Sequence, residues 1–191
     1  MFTDYRPSRG YDEYFCSEQA EPRSALLPLL SSLGRIGLDE LNRSHASASN
    51  LLRRLGATFR LNDSGQQGGE RILPFDPLPR LISRSEWTTL ERGLLQRLEA
   101  IDCFLADVYG DQAILRDGVI PRDDVESSQG WRPQMQGMTM PLNRWCHISG
   151  LDLIRDGQGN WRVLEDNLRC PSGVAYFLEN RRVMKRLFPS L

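Results

Sequence analysis

The fold is decided by a stretch near the end of the chain that runs from His147 to Asn167 and reads HISGLDLIRDGQGNWRVLEDN. Two strand-like runs, 147–154 and 161–167, flank a segment containing Asp156-Gly157 and Gly159-Asn160. Asp-Gly and Gly-Asn pairs between alternating runs are typical of tight turns. The sequence therefore predicts a β-hairpin here.

The register of this hairpin depends on its turn. A loop of two residues, Gly157-Gln158, or of four residues, 156–159, puts Gly150 opposite Glu165. Side chains alternate along a strand and directly paired residues share a face. With such a loop, Asp152, Glu165 and Asn167 are expected on one face, and a loop of odd length would break this grouping.

Two carboxylates and an amide oxygen on one face suit a hard cation that takes oxygen ligands, above all Mg²⁺ that carries nucleotide phosphates. The alternative is a hairpin whose polar face simply meets water. From periodicity alone this alternative is the more common explanation, since half-buried hairpins usually turn their charges outward.

The residues after the hairpin favour the metal site. The run Leu168-Arg169-Cys170-Pro171-Ser172-Gly173 leads into a helix predicted over 173–188. Backbone N–H groups at a helix start can receive an anion, and arginine suits phosphate or carboxylate. The predicted inward side of this helix consists of Val174, Phe177, Leu178, Met184, Leu187 and Phe188.

Earlier in the chain, apolar spacing predicts two helices within 25–54, divided at Gly34 and Gly37. A short strand over 57–61 follows, and after it a loop made of residues 62–65 and Gly68-Gly69. A long helix with Ser85 as its N-cap is predicted next, with an apolar stripe expected in the core: Trp87, Leu90, Leu94, Leu98, Ile101, Leu105 and Val108.

Asp152 together with Leu-Glu-Asp-Asn-Leu-Arg-Cys-Pro-Ser-Gly at 164–173 resembles the metal-binding end of ATP-grasp ligases. More closely, the chain is similar to the circularly permuted type 2 ATP-grasp proteins, a bacterial family related to glutathionylspermidine synthase. The likeness runs from about Tyr11 to Leu191. Further supporting stretches are 69–76, 79–82, 86–87, 137–138, 147–153 and 178–181.

The resemblance implies an α+β fold, an ATP-grasp-like partial domain with helices packed on a mostly antiparallel sheet and a metal-binding hairpin near the C-terminus. Residues 24–191 would form the N-terminal, metal-binding part of that domain, and residues 1–23 a segment that wraps its surface.

By the same resemblance, Asp152, Glu165 and Asn167 would hold Mg²⁺. Arg169 would contact the transferred phosphate or the acyl substrate, and Ser172 and Gly173 would help to bind ATP. Members of the family activate a carboxylate as an acylphosphate and capture it with an amine.

Two features depart from the family pattern. Related synthetases carry an arginine two residues before the Asp, where this chain has Gly150, and their nucleotide-gripping lysines come later in the chain, whereas Lys185 is the sole lysine here. We therefore expect a metal-binding portion that is inactive alone and needs the rest of the fold, from a second chain or a longer polypeptide. The alternative is a non-catalytic interaction subunit or a truncated relic.

Composition fits these expectations. The 191 residues carry a net charge of −1, which gives no general electrostatic reason to bind nucleic acid. No apolar run approaches the roughly 18 residues of a membrane span, and the N-terminus lacks a secretory pattern, so no membrane partner and a cytoplasmic location are expected. The four cysteines and two histidines do not show the spacing of a zinc site.

Overall fold

The computed structural model describes residues 4–7, 10–16, 21–63 and 66–189. Its helices are α1 (Leu27–Ile36), α2 (Leu38–Arg54), α3 (Arg84–Tyr109), α4 (Ala113–Arg116), α5 (Arg122–Glu126) and α6 (Val174–Leu187). Its strands are β1 (Thr58–Asp63), β2 (Gln66–Ile72), β3 (Gly150–Arg155) and β4 (Trp161–Asn167). Short 3₁₀ turns cover Ser24–Leu26, Pro133–Met135 and Pro141–Asn143.

The chain divides into two compact units. The first consists of Met1–Ser83, Ile154–Arg162 and Ser172–Leu191, and the second of Arg84–Leu153 and Val163–Pro171. The sequence predicts instead a boundary between a surface-wrapping segment, 1–23, and the rest of the chain, 24–191, and that boundary stays a prediction.

The core of the first unit lies mainly between helices. Gly37, with φ of +80°, separates α1 from α2 as the sequence predicts, because glycine adopts this conformation without steric cost. Gly34, the other predicted point of division, lies inside α1. Helix α2 buries one face and packs against α6. The buried cluster contains Leu33, Leu41, Ala48, Leu52, Ala57, Phe75, Val183 and Phe188.

The predicted sheet differs in its organisation. The described residues form two separate two-stranded antiparallel sheets, β1–β2 and β3–β4, so the mixture of helices and antiparallel strands is confirmed but a single sheet beneath the helices is not. Thr58 pairs with Ile72 and Phe59 with Arg71. The predicted loop of residues 62–65 and Gly68-Gly69 is wrong where it can be compared, because pairing of the backbone continues beyond Arg60 and takes residues 62 and 63 into β1 and both glycines into β2. Residues 64 and 65 lie outside the described residues.

The N-terminal segment contacts the turn of the β3–β4 hairpin within the first unit. The guanidinium of Arg155 lies 4.9 Å from the ring centre of Tyr11 and 4.1 Å from that of Trp161. Its Nε is 3.3 Å from a carboxylate oxygen of Glu13. Cation–π contacts of a largely buried arginine add to the ion pair, so these residues attach the segment to the turn.

The second unit is built on α3, which begins at Arg84, one residue before the predicted cap Ser85. Only Val108 of the predicted stripe is fully buried, and Trp87 is 48% exposed, so its placement in the core is wrong. The remaining stripe residues are half-buried: Leu90, Leu94, Leu98, Ile101 and Leu105. Periodicity identifies the apolar side of a helix, but whether that side is covered depends on distant residues.

Asp102 is the buried charge of α3, and the stripe prediction did not include it. Its carboxylate accepts hydrogen bonds from the backbone N–H groups of Trp145 and Cys146 and from the guanidinium of Arg144. Burial alone disfavours the ionised form, yet these donors hold the pKa of Asp102 below its ordinary value. The carboxylate thereby attaches the loop before β3 to the long helix.

The last helix is confirmed nearly at its predicted bounds, and its predicted inward side is confirmed in the second half of the helix but not in the first. Val183 and Phe188 are buried and Met184 and Leu187 are half-buried. The first half of the helix is different, because its large apolar residues remain exposed: Val174 by 58%, Phe177 by 65% and Leu178 by 52%.

Across the part of the chain that the structure describes, none of the helices combines the length and the apolar character needed to cross a membrane.

Candidate metal-binding hairpin

The turn of the β3–β4 hairpin contains three residues, so the prediction of two or four is wrong. The N–H of Asp156 donates to the carbonyl of Asn160, and the N–H of Gly159 donates to the carbonyl of Asp156, both at 2.9 Å. The Asp156 carboxylate accepts from the N–H groups of Gln158 and Asn160. Gly159 takes φ of +87°. An aspartate that caps a turn followed by a left-handed glycine produces the three-residue hairpin with its G1 bulge.

From this turn alone, regular pairing would separate the predicted ligands. Since Asp156 faces Asn160, unbroken pairing would place Asp152 opposite Leu164 and turn Glu165 to the other face. Near the turn the exposure pattern follows this register: Asp152 and Leu164 are both exposed, and Leu153 and Val163 are both half-buried.

The other end of the hairpin has a different register. A Cβ built on Gly150 would lie 3.7 Å from Cβ of Asn167, so these residues lie across from each other. The path from the turn to this pair is one residue longer along β4 than along β3. Leu164 and Glu165 are consecutive and both exposed, which breaks the alternation of β4 at this point. The extra residue therefore forms a β-bulge at Leu164-Glu165.

With this bulge, alternation again places the three predicted ligands on one face. The side-chain amide nitrogen of Asn167 donates to Oε1 of Glu165 at 2.9 Å, so these two side chains are neighbours. Gly150 lies opposite Asn167, and Asp152 follows Gly150 by two residues on the same face of β3. Glu165 and Asn167 are therefore neighbours by direct contact, whereas the place of Asp152 on their face follows only from alternation along β3, so the grouping of all three stays a prediction. That the group holds a metal stays a prediction.

Asp166 lies between the two β4 ligands and points to the other face. Its carboxylate forms two hydrogen bonds with Arg97 of α3, at 2.8 and 2.6 Å. The hydrogen bond from Arg97 is the main cause that lowers the pKa of Asp166. Sequence reasoning missed this pair. Alternation along β4 separates Asp166 from Glu165, but nothing in the sequence identifies Arg97 as its partner.

The donor set fits a magnesium ion. Asp152 and Glu165 are exposed, and neither forms an ion pair with the residues that the structure describes. The hydrogen bond from Asn167 assigns its amide nitrogen to Glu165, which leaves the amide oxygen and Oε2 of Glu165 as possible ligands. The described ranges contain no cluster of three His, Cys, Asp or Glu residues. Mg²⁺ commonly takes one or two carboxylates and completes its shell with water and phosphate.

The residues after β4 are accessible. Arg169 is exposed and forms no ion pair within the described ranges. Ser172 is also exposed. Gly173, with φ of +97°, is the N-cap of α6, and no side chain caps the first N–H groups of this helix. The phosphate and substrate contacts expected of these three residues stay predictions.

Comparisons with known proteins identify relatives of this chain. Residues 79–191 match the family model described as circularly permuted ATP-grasp type 2. An uncharacterized protein of Synechocystis sp. is 49% identical over 188 residues, which are 98% of this chain and 38% of the relative. An uncharacterized protein of Mycobacterium tuberculosis is 54% identical over 136 residues, which are 71% of this chain and 24% of the relative.

A protein of Frankia alni, named as a candidate glutamate–cysteine ligase, is 38% identical over 189 residues, which are 98% of this chain and 21% of the relative. The chain thus spans well under half the length of each of these three relatives.

Proposed function

Because the chain belongs to the circularly permuted type 2 ATP-grasp family, we propose that it is the Mg²⁺-binding part of an ATP-dependent ligase that joins a carboxylate to an amine. One observation carries the proposal: the family match over residues 79–191 includes the hairpin of Asp152, Glu165 and Asn167, and the hydrogen bond between Asn167 and Glu165 supports it. The name of the Frankia relative supports ligase chemistry of this kind.

The proposed reaction has two steps. A substrate carboxylate attacks the γ-phosphorus of ATP, which yields an acylphosphate and ADP, and an amine then displaces phosphate to form the amide. Mg²⁺ held by the three hairpin residues would neutralise phosphate charge. The planar guanidinium of Arg169 suits the oxygens of the transferred phosphoryl group or of the carboxylate. Ser172 and Gly173 precede uncapped N–H groups of α6 that suit a phosphate.

The proposal includes further protein that completes the nucleotide site, as a continuation of the polypeptide or as a second chain. The greater length of the relatives supports this, as does the single lysine of the sequence, Lys185. The exposed apolar side chains of Val174, Phe177 and Leu178 also support it, since covering them would remove apolar surface from water. We expect residues 1–191 alone to bind Mg·ATP weakly and to lack turnover.

The metal site is tested directly with Mn²⁺ as a paramagnetic substitute for Mg²⁺. Titration of the full chain, followed by electron paramagnetic resonance, should give weak saturable binding. Asp152→Asn and Glu165→Gln should each lower the affinity by at least about tenfold, because loss of a residue that only orients a metal ligand already costs about 10–100-fold. Asp124→Asn removes an exposed carboxylate from α5 and should change nothing. Equal Mn²⁺ affinity in all four proteins would remove the hairpin from the metal site.

The ligase function needs the complete protein. In a longer polypeptide or a reconstituted complex that contains this chain, Glu165→Ala should abolish ATP turnover and leave the circular dichroism spectrum unchanged. Turnover retained in Glu165→Ala contradicts the assignment. Absence of turnover in the unmodified complex, with Mn²⁺ binding intact, would instead favour a non-catalytic interaction subunit. Nanomolar ATP binding by the isolated chain contradicts the proposal that other protein completes the nucleotide site.

A further inference from the structure

A second candidate site is a groove that lies entirely within the first unit. It has a volume of about 460 Å³ and lies between the N-terminal segment, the start of α2 and the proline-rich connection after β2. Pockets that hold small molecules commonly have volumes of about 300–1,000 Å³, with a mainly apolar lining and a few polar groups. This groove matches that description in size and in composition.

The apolar part of the lining includes three leucines beside Pro77 and the ring of Tyr5. Leu41 is buried in the unit core, and Leu78 is half-buried beside it. Leu38, the first residue of α2, is 60% exposed. A ligand with an aliphatic or aromatic body could remove the apolar surface of Leu38 and of the neighbouring leucines from water, which is favourable.

The polar part of the lining contains two carboxylates. Asp4 and Asp76 border the groove together with Tyr5, Asn42 and His45, and no arginine or lysine does so among the described residues. Neither carboxylate forms an ion pair with a described residue. Oδ1 of Asp76 accepts the N–H of Leu78 at 2.9 Å, which fixes the orientation of the carboxylate and leaves its second oxygen without a described partner.

We propose that this groove binds a small organic cation, a primary ammonium attached to an apolar body. The two carboxylates complement the ammonium group, and the leucines complement the apolar body. The same carboxylates disfavour an anionic ligand of similar shape. The proposal does not rest on the ligase function, because the residues of the groove lie outside the β3–β4 hairpin and the assay measures binding alone.

The test uses three probes of matched length, n-hexylamine, 1-hexanol and hexanoate, added to the ¹⁵N-labelled full chain at pH 7.5. Hexylamine should cause saturable chemical-shift changes in the amide resonances of Leu38, Leu41 and Leu78. Hexanol should bind about fivefold more weakly, as expected for the loss of a partly solvent-screened ion pair. Hexanoate should cause no saturable change.

Two variants distinguish charge recognition from general apolar binding. Asp76→Asn keeps an oxygen that can accept the N–H of Leu78, and it should weaken hexylamine about fivefold without affecting hexanol. Asp111→Asn removes an exposed carboxylate outside the groove and should leave both affinities unchanged. Equal affinities for hexylamine and hexanol, undiminished hexylamine binding by Asp76→Asn, or no saturable shifts in the groove would each overturn the proposal.

Discussion

Replacement of Gly150 by alanine tests the arrangement at the open end of the β3–β4 hairpin. A Cβ at this position would lie 2.7 Å from Cβ of Pro171 and 3.7 Å from Cβ of Asn167. Carbon atoms without a bond between them prefer separations of about 3.5–4.0 Å. Cβ of Pro171 belongs to a ring closed onto the backbone, so it cannot rotate away as a flexible side chain could. The backbone of β3 or of residue 171 must therefore move by nearly 1 Å.

The expected cost follows from two opposing effects. Insertion of a methyl group into a close contact typically costs about 1–3 kcal/mol. Alanine in place of glycine within a strand recovers about 0.5–1 kcal/mol of backbone entropy. The net destabilisation should be about 1–2 kcal/mol, with a fall in Tm of about 2–4 °C for each kcal/mol in a chain of this size.

Thermal and urea unfolding, followed by circular dichroism, measure this change. Gly93→Ala is the matched control, because Gly93 lies inside α3 in the same unit and a Cβ there would meet no described atom within 4 Å apart from its chain neighbours and the backbone of its own helix. This control should be more stable than the original protein, by up to about 1 kcal/mol. The two substitutions are chemically identical, yet they should shift the stability in opposite directions.

A double-mutant cycle identifies the clash as the cause. Pro171→Gly removes the Cβ that the new methyl group meets, so Gly150→Ala should cost less in that background. Gly150→Ala with a Tm equal to or above that of the original protein would refute the close approach of Pro171. The same result would weaken the pairing of Gly150 with Asn167, on which the shared face of the predicted ligands depends.

Three further substitutions have defined outcomes. Asp102→Asn should destabilise by about 1–3 kcal/mol at neutral pH, because a buried carboxylate loses charge-assisted bonds. Because the pKa of Asp102 is lowered in the folded protein, its contribution to the free energy of unfolding is present at neutral pH and disappears as pH falls below about 4. The free energy of unfolding in urea, measured between about pH 6 and 3, should therefore change less with pH in the variant than in the original protein. Asp107→Ala should cost about 1 kcal/mol in urea unfolding, since the Asp107 carboxylate caps the N–H groups of Ala113 and Ile114, and an unchanged midpoint would refute this role. Gly159→Ala should cost about 1–2 kcal/mol because of the left-handed backbone there, and a Cβ would also lie 2.5 Å from the ring of Tyr11; unchanged thermal stability contradicts the three-residue turn.

Local signals in the sequence predict the helices well. The division of the first helical region at Gly37 and the bounds of α6 depend on interactions within a few residues, and the structure confirms both. Which apolar residues become buried is predicted less well. Trp87 and Phe177 lie on apolar sides of their helices, but both remain exposed, because burial needs a covering element from elsewhere in the chain.

The predicted register of the hairpin is wrong, and the predicted shared face of Asp152, Glu165 and Asn167 now depends on a turn of three residues and on a bulge. The sequence contains the residues for a three-residue turn, since Asp156 can cap it and Gly159 can take the left-handed position, so the turn could have been predicted. The bulge at Leu164-Glu165 could not, because local alternation does not specify where a strand gains a residue. The odd turn moves the β4 side chains by one position relative to the predicted register, and the bulge moves those beyond it by one position more.

The ion pair of Asp166 with Arg97 explains why the orientation of β4 beyond the bulge is defined. A shift of β4 by one residue would turn Asp166 away from the guanidinium of Arg97. The same shift would turn Glu165 and Asn167 to the side of the strand that now faces α3. Adjacent carboxylates in the run Glu165-Asp166-Asn167 therefore have different roles: Asp166 attaches the strand to α3, and its neighbours are left to face outward. The hydrogen bond from Arg97 lowers the pKa of Asp166, so this attachment stays ionised to a lower pH than an ordinary aspartate would.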